Sequence, residues 1–196
     1  PGPVFYVSRR SGKKGMAFDF YKFRSMVKDA EKQREALSDK SEVKGPIFKI
    51  RHDPRLTRVG KILRKYSLDE LPQLFNVFKV DMSVIGPRPD VPEITAKYTP
   101  EMKKIFSIRP GITSVATLHF RHEEDILARV QNPDQFYEEK VVPLKVALAM
   151  EHVTRHSFWF DLKILLQTIW VLLPLGKIWP IQELPAVTQF RKEYSL

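Results

Sequence analysis

The chain has no cysteine in its 196 residues. That absence excludes disulfides, thiolate metal sites and cysteine nucleophiles together, and it is compatible with a reducing compartment. Long apolar runs are missing too. The longest, from Ile164 to Leu175, is broken by Gln167 and preceded by Asp161 and Lys163, well short of the roughly 18 to 20 apolar residues that a membrane span needs. No Gly-x-Gly-x-x-Gly or Walker-type loop occurs among the 8 glycines, so nucleotide binding by those cradles has no support. The histidine pairs His119/His122 and His152/His156 lack a third ligand nearby, so they read as ordinary surface or core residues rather than as zinc sites. The chain opens at Pro1 without an initiator methionine or a signal-like segment, and it is expected to be a piece of a longer protein.

What is present suffices for one folded domain over residues 1–196: 43% apolar and 11% aromatic residues exclude wholesale disorder. The net charge is +10 and the sequence pI is near 9.7. Residues 1–65 hold 18 Lys and Arg against 7 Asp and Glu, which leaves 15 against 16 for the remainder. A one-sided positive excess points to an anionic partner: nucleic acid, anionic lipid or a phosphorylated substrate.

Val4–Val7 and Met16–Met26 read as two strands of a hairpin joined by the basic, glycine-containing turn Ser8–Gly15. Residues 27–44 are polar, helical in composition to about Leu37 and then loop-like. Asp53-Pro54 is predicted to start a helix with an apolar stripe at Leu56, Val59, Ile62 and Leu63 and basic residues on its other faces. Seven basic residues between Lys49 and Lys65 lead into Ser67-Leu68-Asp69-Glu70-Leu71-Pro72-Gln73-Leu74. A capping box with Ser67 and Glu70 is one reading of that segment. Pro72 opposes it, because its ring would clash with the carbonyl of Leu68 in a helix started at Ser67. A helix starting one or two residues later places Pro72 in the first turn and Asp69 and Glu70 at the helix mouth. Two adjacent carboxylates beside a positive helix end can hold a divalent cation or attack an electrophile, although acidic first turns are also common for structural reasons alone.

Gly86-Pro87-Arg88-Pro89 presents a guanidinium from a stiff, extended backbone, suited to phosphate or simply a rigid surface turn. Arg109-Pro110-Gly111-Ile112-Thr113 has Pro-Gly at the centre of a predicted type II turn with an arginine before it.

Tyr21-Lys22-Phe23-Arg24-Ser25-Met26, Asp53–Gly60, Leu63-Arg64 and Ser67–Val77 together closely resemble the bacterial sugar transferase family, the monotopic phosphoglycosyl transferases that act on polyprenol phosphate. Asp81-Met82-Ser83, Gly86–Pro89, Arg109–Thr113 and Asp161–Ile164 continue the match, so that it covers most of residues 1–175. The resemblance implies transfer of a phosphosugar from a UDP-sugar to undecaprenyl phosphate, with Mg²⁺, as the first membrane step of bacterial surface glycan synthesis. It makes Asp69 the nucleophile that would carry the phosphosugar, with Glu70 assisting in metal binding or proton handling. Arg64, Arg88 and Arg109 become candidates for phosphate contacts, and Lys22 and Arg24 part of the same basic wall. Asp134 falls on the aspartate of the family's later Asp-x-[aromatic]-Tyr pattern. The chain departs from the family over Ser114–Glu124, where sugar or nucleotide recognition can differ. In members an apolar membrane-inserting hairpin precedes the segment that begins here at Gly2-Pro3-Val4-Phe5.

The expected fold is α/β (α+β): a compact, helix-rich domain with a small sheet or hairpin, associated with the cytoplasmic face of a bacterial inner membrane. Phe158, Trp159, Phe160, Ile164, Leu165, Trp170, Leu172 and Trp179 would supply interfacial contacts or else pack in the core. The expected partners are a UDP-sugar, polyprenol phosphate and an anionic membrane surface, with no nucleic acid and with a homo-oligomer left open. The rival reading is a non-enzymatic nucleic-acid-binding module using Phe18, Phe20, Tyr21 and Phe23 among the basic residues, against which the Asp69-Glu70 pair would repel a phosphate backbone.

Overall fold

Strands β1 (Phe5–Ser11) and β2 (Ala17–Phe23) form the antiparallel hairpin expected from the alternation of aromatic and polar residues. The computed structural model describes residues 2–30, 32–33, 53–121, 123–127, 129–173 and 181–194. The expected helix and loop between Gln33 and Asp53, together with His122 and Trp179, lie outside them. Strand β1 runs further than the sequence indicated, so Arg9 and Arg10 belong to it and the turn shrinks to a 3-10 step over Lys13–Gly15. The aromatics are engaged within the fold: Phe5 stacks on Phe23 at 5.6 Å, Phe18 meets Phe20 edge-on at 6.3 Å, and Phe20 is buried.

Helix α1 (Arg58–Lys65) starts later than Asp53, with Thr57 as its cap: the Thr57 hydroxyl accepts from Gly60 N at 2.9 Å. Asp53 instead takes a bidentate ion pair from Arg55, with Nη2–Oδ2 at 2.6 Å and Nε–Oδ1 at 2.9 Å. Of the expected apolar stripe, Val59 and Ile62 face outward, 65% and 57% exposed, while Leu56 and Leu63 are half-buried. The physical reason is Gly60, which turns the helix backbone onto Ser25: a Cβ there would lie 1.8 Å from the Ser25 carbonyl oxygen. Gly60→Ala should therefore cost at least about 3 kcal/mol through overpacking, a fall in Tm on the order of 10 °C by thermal unfolding. An unchanged Tm would show that α1 docks loosely.

After α1, a 3-10 turn over Leu68–Glu70 leads through Pro72 into α2 (Gln73–Phe78). No capping box forms, since the Ser67 side chain caps nothing, and the helix starts later than expected: Pro72 is its cap residue rather than part of its first turn, and Asp69 and Glu70 sit in the 3-10 turn before it. Asn76 ties α2 to the hairpin: its amide donates to the Asp19 carbonyl at 2.6 Å, and its side-chain oxygen accepts from Tyr21 N at 3.2 Å.

Strands β3 (Ser83–Ile85) and β4 (Gly111–Thr113) pair in parallel. This sets Gly86-Pro87-Arg88 beside Arg109-Pro110-Gly111, with Gly111 N donating to the Pro87 carbonyl at 2.9 Å. Pro110-Gly111 is not the expected type II turn, which would need a positive φ at Gly111; Gly111 begins a strand with φ outside that region. Glycine is needed there for close approach, because a Cβ on Gly111 would sit 2.1 Å from Gly86 N.

Helices α3 (Pro92–Thr95), α4 (Val115–His119), α5 (Glu123–Leu127), α6 (Pro133–Phe136), α7 (Val142–Arg155), α8 (Phe158–Leu172) and α9 (Pro185–Glu193) complete the described fold. They close over a core that includes Leu127, Tyr137, Val141, Val146, Ile164 and Phe190. The α+β, helix-rich class expected from the sequence is what these elements form. The aromatic segment of α8 divides between its two expected roles: Phe158 and Trp159 are 72% and 76% exposed, Ile164 is buried, and Phe160 and Leu165 pack against the core. His152 takes a core place, 1% exposed with Nε2 3.1 Å from Asp161 Oδ1. No described helix is long and apolar enough to cross a membrane.

Candidate active site

Ser67 is the pivot of the site. It ends α1 in the left-handed region, at φ 56°, which a serine adopts at some cost, and it turns the chain sharply into the Leu68–Glu70 step. Asp69 and Glu70 then face inward toward β2 and the Gly86–Pro89 segment.

The two carboxylates have different surroundings. Glu70 is clamped from both sides: Arg88 forks onto it with Nη2–Oε1 at 2.5 Å and Nη1–Oε2 at 3.1 Å, and Lys22 Nζ reaches Oε1 at 2.9 Å. Burial alone would raise the Glu70 pKa, but the charges and hydrogen bonds of Arg88 and Lys22 outweigh it and hold the carboxyl far below the usual range. Burial would lower the Arg88 pKa, yet Glu70 lifts it above its ordinary value. Burial pulls the Lys22 ammonium down, and Glu70 offsets this only in part. Asp69, by contrast, is only 7% exposed and makes no hydrogen bond or ion pair within the described residues. A buried carboxylate with no hydrogen-bond or ion-pair partner among the described residues, beside a second that two cations engage, is an arrangement in which one group is held ready and the other organises the cations around it.

The remaining predicted site residues are placed elsewhere. The Arg64 Nε donates to Ser25 Oγ at 3.0 Å, and that side chain is otherwise exposed. Arg24 is turned to the start of the chain, its Nε 2.8 Å from the Pro3 carbonyl. Arg109 donates to the Val80 carbonyl at 2.8 Å. There it braces a β-branched residue held at φ 65°. Asp134 lies in α6, and its side chain is outside what the structure describes. The dyad, Lys22 and Arg88 are thus brought together, while Arg24, Arg64 and Arg109 contact other groups.

Several buried polar residues around the dyad were missed by sequence reasoning. Arg10 lies 5.5 Å from the Phe20 ring centroid, as does Lys22, and its Nε is buried without a partner. Burial lowers its pKa against the opposing charge of Asp90. Asp90 itself accepts from the Tyr98 hydroxyl at 2.7 Å. Lys145 Nζ is 3.0 Å from Glu123 Oε2 and 3.4 Å from the Tyr137 hydroxyl. Burial would lower the Lys145 pKa, but Glu123 and Tyr137 raise it, and burial pushes the Tyr137 phenol up to about 12. Only Arg10 had a readable signal, since extending the period-2 alternation of β1 to Ser11 turns it inward.

Glu70, Arg88, Glu123 and Lys145 share the wall of a cleft of about 430 Å³. As a donor set for Mg²⁺ the dyad fits. Mg²⁺ needs only one or two protein carboxylates when a substrate diphosphate and water complete its shell, and Asp69 has a carboxylate with no hydrogen-bond or ion-pair partner among the described residues. No cluster of three acidic, histidine or cysteine side chains occurs among the described residues, so an all-protein cage is not formed by them.

Comparison with known proteins identifies the family. A model of the family described as bacterial sugar transferase matches residues 1–174. The chain is 38% identical over 172 residues to the galactosyl transferase CpsE of Streptococcus agalactiae, covering 88% of this chain and 35% of that protein. It is 36% identical over 176 residues to the undecaprenyl-phosphate galactose phosphotransferase of Salmonella typhimurium, covering 88% of this chain and 34% of that protein. With the UDP-N-acetylgalactosamine-undecaprenyl-phosphate N-acetylgalactosaminephosphotransferase of Aeromonas hydrophila the identity is 34% over 177 residues, covering 88% and 36%. The chain spans about a third of the length of these three relatives.

Proposed function

Because this chain belongs to the bacterial sugar transferase family, we propose that it moves a phosphosugar from a UDP-sugar to a polyprenol phosphate such as undecaprenyl phosphate, through a covalent intermediate on Asp69. The observation that carries the proposal is the contrast within the dyad: Asp69 buried without a hydrogen-bond or ion-pair partner among the described residues, Glu70 fixed by Arg88 and Lys22.

In the first step a carboxylate oxygen of Asp69 attacks the phosphorus that bears the sugar. The bond from that phosphorus to the bridging oxygen breaks, and UMP leaves with the electron pair. The product is an acyl phosphate in which Asp69 carries the phosphosugar. In the second step an oxygen of the lipid phosphate attacks the same phosphorus, the bond to Asp69 breaks, and the carboxylate is restored as the lipid diphosphate sugar departs. An aspartate is a weak nucleophile, so the work of the site is to place it in line and to neutralise the diphosphate. Arg88 and Lys22 supply two positive charges held at the dyad by Glu70, and Arg10 adds a third nearby. Asp69 and Glu70 would hold Mg²⁺, which when bound neutralises the diphosphate oxygens and stabilises the leaving UMP. UMP release from a panel of UDP-sugars, with and without polyprenol phosphate, tests the proposal: release that needs a UDP-sugar supports it, and none with any sugar would refute it.

The acceptor lives in a membrane, and we place the dyad at the cytoplasmic face of the bacterial inner membrane on the strength of exposed apolar side chains around it. Val59, Ile62, Phe75 and Phe78 are 65%, 57%, 58% and 82% exposed, next to the basic residues of α1. The chain should bind vesicles containing phosphatidylglycerol. High salt should weaken that binding, each well-placed Lys or Arg contributing up to about 1 kcal/mol. Phe75→Ser with Phe78→Ser should weaken it further in a flotation assay. Equal binding to neutral and anionic vesicles would contradict the electrostatic part of this reading.

A further inference from the structure

We infer that the Glu123–Lys145 pair reads the hydroxyls of the sugar being transferred and so sets which UDP-sugar the chain accepts. The inference rests on the proposed function and adds to it the residues that choose the sugar.

Position is the first reason. Glu123 at the start of α5 and Lys145 in α7 line the same cleft as Glu70 and Arg88. Glu123 is near enough for its charge to act on the Arg88 guanidinium. The phosphorus attacked at the dyad is bonded through one oxygen to the sugar, whereas uridine lies beyond the second phosphate. A cleft walled by Glu70 and Arg88 is therefore suited to the sugar ring rather than to uridine.

Chemistry is the second. The cleft wall carries charges of both signs, with Arg88, Arg121 and Lys145 beside Glu70 and Glu123. Sugar hydroxyls both donate and accept, and this wall offers both: a carboxylate, an ammonium, and the hydroxyls of Thr113, Thr117 and Thr168. Leu71 and Ala116 line the same cleft and can cover a sugar's C–H face. Among the described residues the Lys145 ammonium spends two of its three donors, on Glu123 at 3.0 Å and on Tyr137 at 3.4 Å, which leaves one for a ligand.

Rigidity is the third. The two side chains are 20% and 14% exposed and hold each other in place, so little ordering is left to be done on binding. Glu123 also lies in the Ser114–Glu124 stretch where the chain departs from the family pattern, which is where a difference in the substrate read would be written.

The test uses the full-length protein in membrane vesicles, with UMP release measured for UDP-galactose, UDP-glucose, UDP-N-acetylgalactosamine and the monodeoxy analogues of whichever is turned over fastest. A site built to bond a hydroxyl rejects the analogue lacking it by a large factor. The wild type should therefore discriminate against at least one deoxy analogue by about 10²-fold or more in kcat/KM. The double variant Glu123→Gln/Lys145→Met, which removes both charges of the pair, should discriminate by less than about tenfold, with most of the change in KM. A ratio taken within one variant is insensitive to how much of it folds. Should the double variant not fold at all, Lys145→Arg, which keeps the charge and moves the donor, should reorder the three sugars. Wild-type discrimination and ranking retained in these variants would overturn the inference while leaving the proposed function intact. Absence of UMP release by the wild type from every sugar would instead overturn the proposed function, and the inference with it.

Discussion

Asp69→Asn should abolish UMP release, a loss of at least about 10³-fold, without lowering the stability of the fold. The amide keeps the shape of the carboxylate and removes the carboxylate oxygen proposed to displace UMP from phosphorus and carry the phosphosugar. Stability should hold because Asp69 has no hydrogen-bond or ion-pair partner in the described structure to lose. Its charge acts on Lys22 only at a distance, the weakest of the causes that bear on that ammonium. A Tm equal to or above that of the wild type, with UMP release at background, is the expected pair of results. Glu70→Gln provides the contrast. It strips Arg88 and Lys22 of the carboxylate that both engage, leaving two cations under-compensated, so it should lower Tm as well as rate. If Asp69→Asn destabilised the protein and Glu70→Gln did not, the division of labour within the dyad would be reversed.

The second large effect is expected at Arg88. Arg88→Lys keeps the charge but loses the two-pronged grip on Glu70, because an ammonium cannot match the fork that holds Oε1 and Oε2 together. The dyad would shift by a fraction of an ångström to an ångström, which costs roughly 10²-fold in a site that works by positioning. A separate readout follows from the sign of the Glu70 shift. In the wild type Arg88 and Lys22 hold that carboxyl well below its ordinary value of 4.5, so it is ionised throughout the working range. With Arg88 reduced to a lysine its pKa rises, and protonation begins at higher pH. The acidic limb of the kcat/KM profile should accordingly move upward in Arg88→Lys. Wild-type turnover with an unmoved acidic limb would reduce Arg88 to a turn residue.

The hairpin was legible because a period-2 alternation admits one reading, and the delayed start of α2 was legible because proline excludes the alternative. The dyad's placement follows from the same rule. Helix α1 starts later than Asp53-Pro54 indicated because Asp53 is taken by Arg55 and Thr57 caps the helix, and its tightest contact is made by Gly60, whose lack of a side chain carries no hydropathy signal. Gly111 was misread similarly, since Pro-Gly signals a turn whether or not the backbone needs a positive φ. Arg88 was expected to point at phosphate and is held by Glu70, a pairing between residues 18 apart that no local pattern encodes. Glu123 and Lys145 meet across 22 residues and two helices, and neither belongs to a motif that spacing alone would mark.

The central claim is that Asp69 carries the phosphosugar, and intact-mass spectrometry addresses it most directly. Full-length protein incubated with its UDP-sugar and Mg²⁺ in the absence of polyprenol phosphate should gain the mass of one phosphosugar, located to the peptide containing Asp69. Asp69→Asn should gain nothing, and added polyprenol phosphate should discharge the adduct. An adduct that persists in Asp69→Asn, or turnover by the wild type only when both substrates are present together with no adduct ever formed, would contradict it.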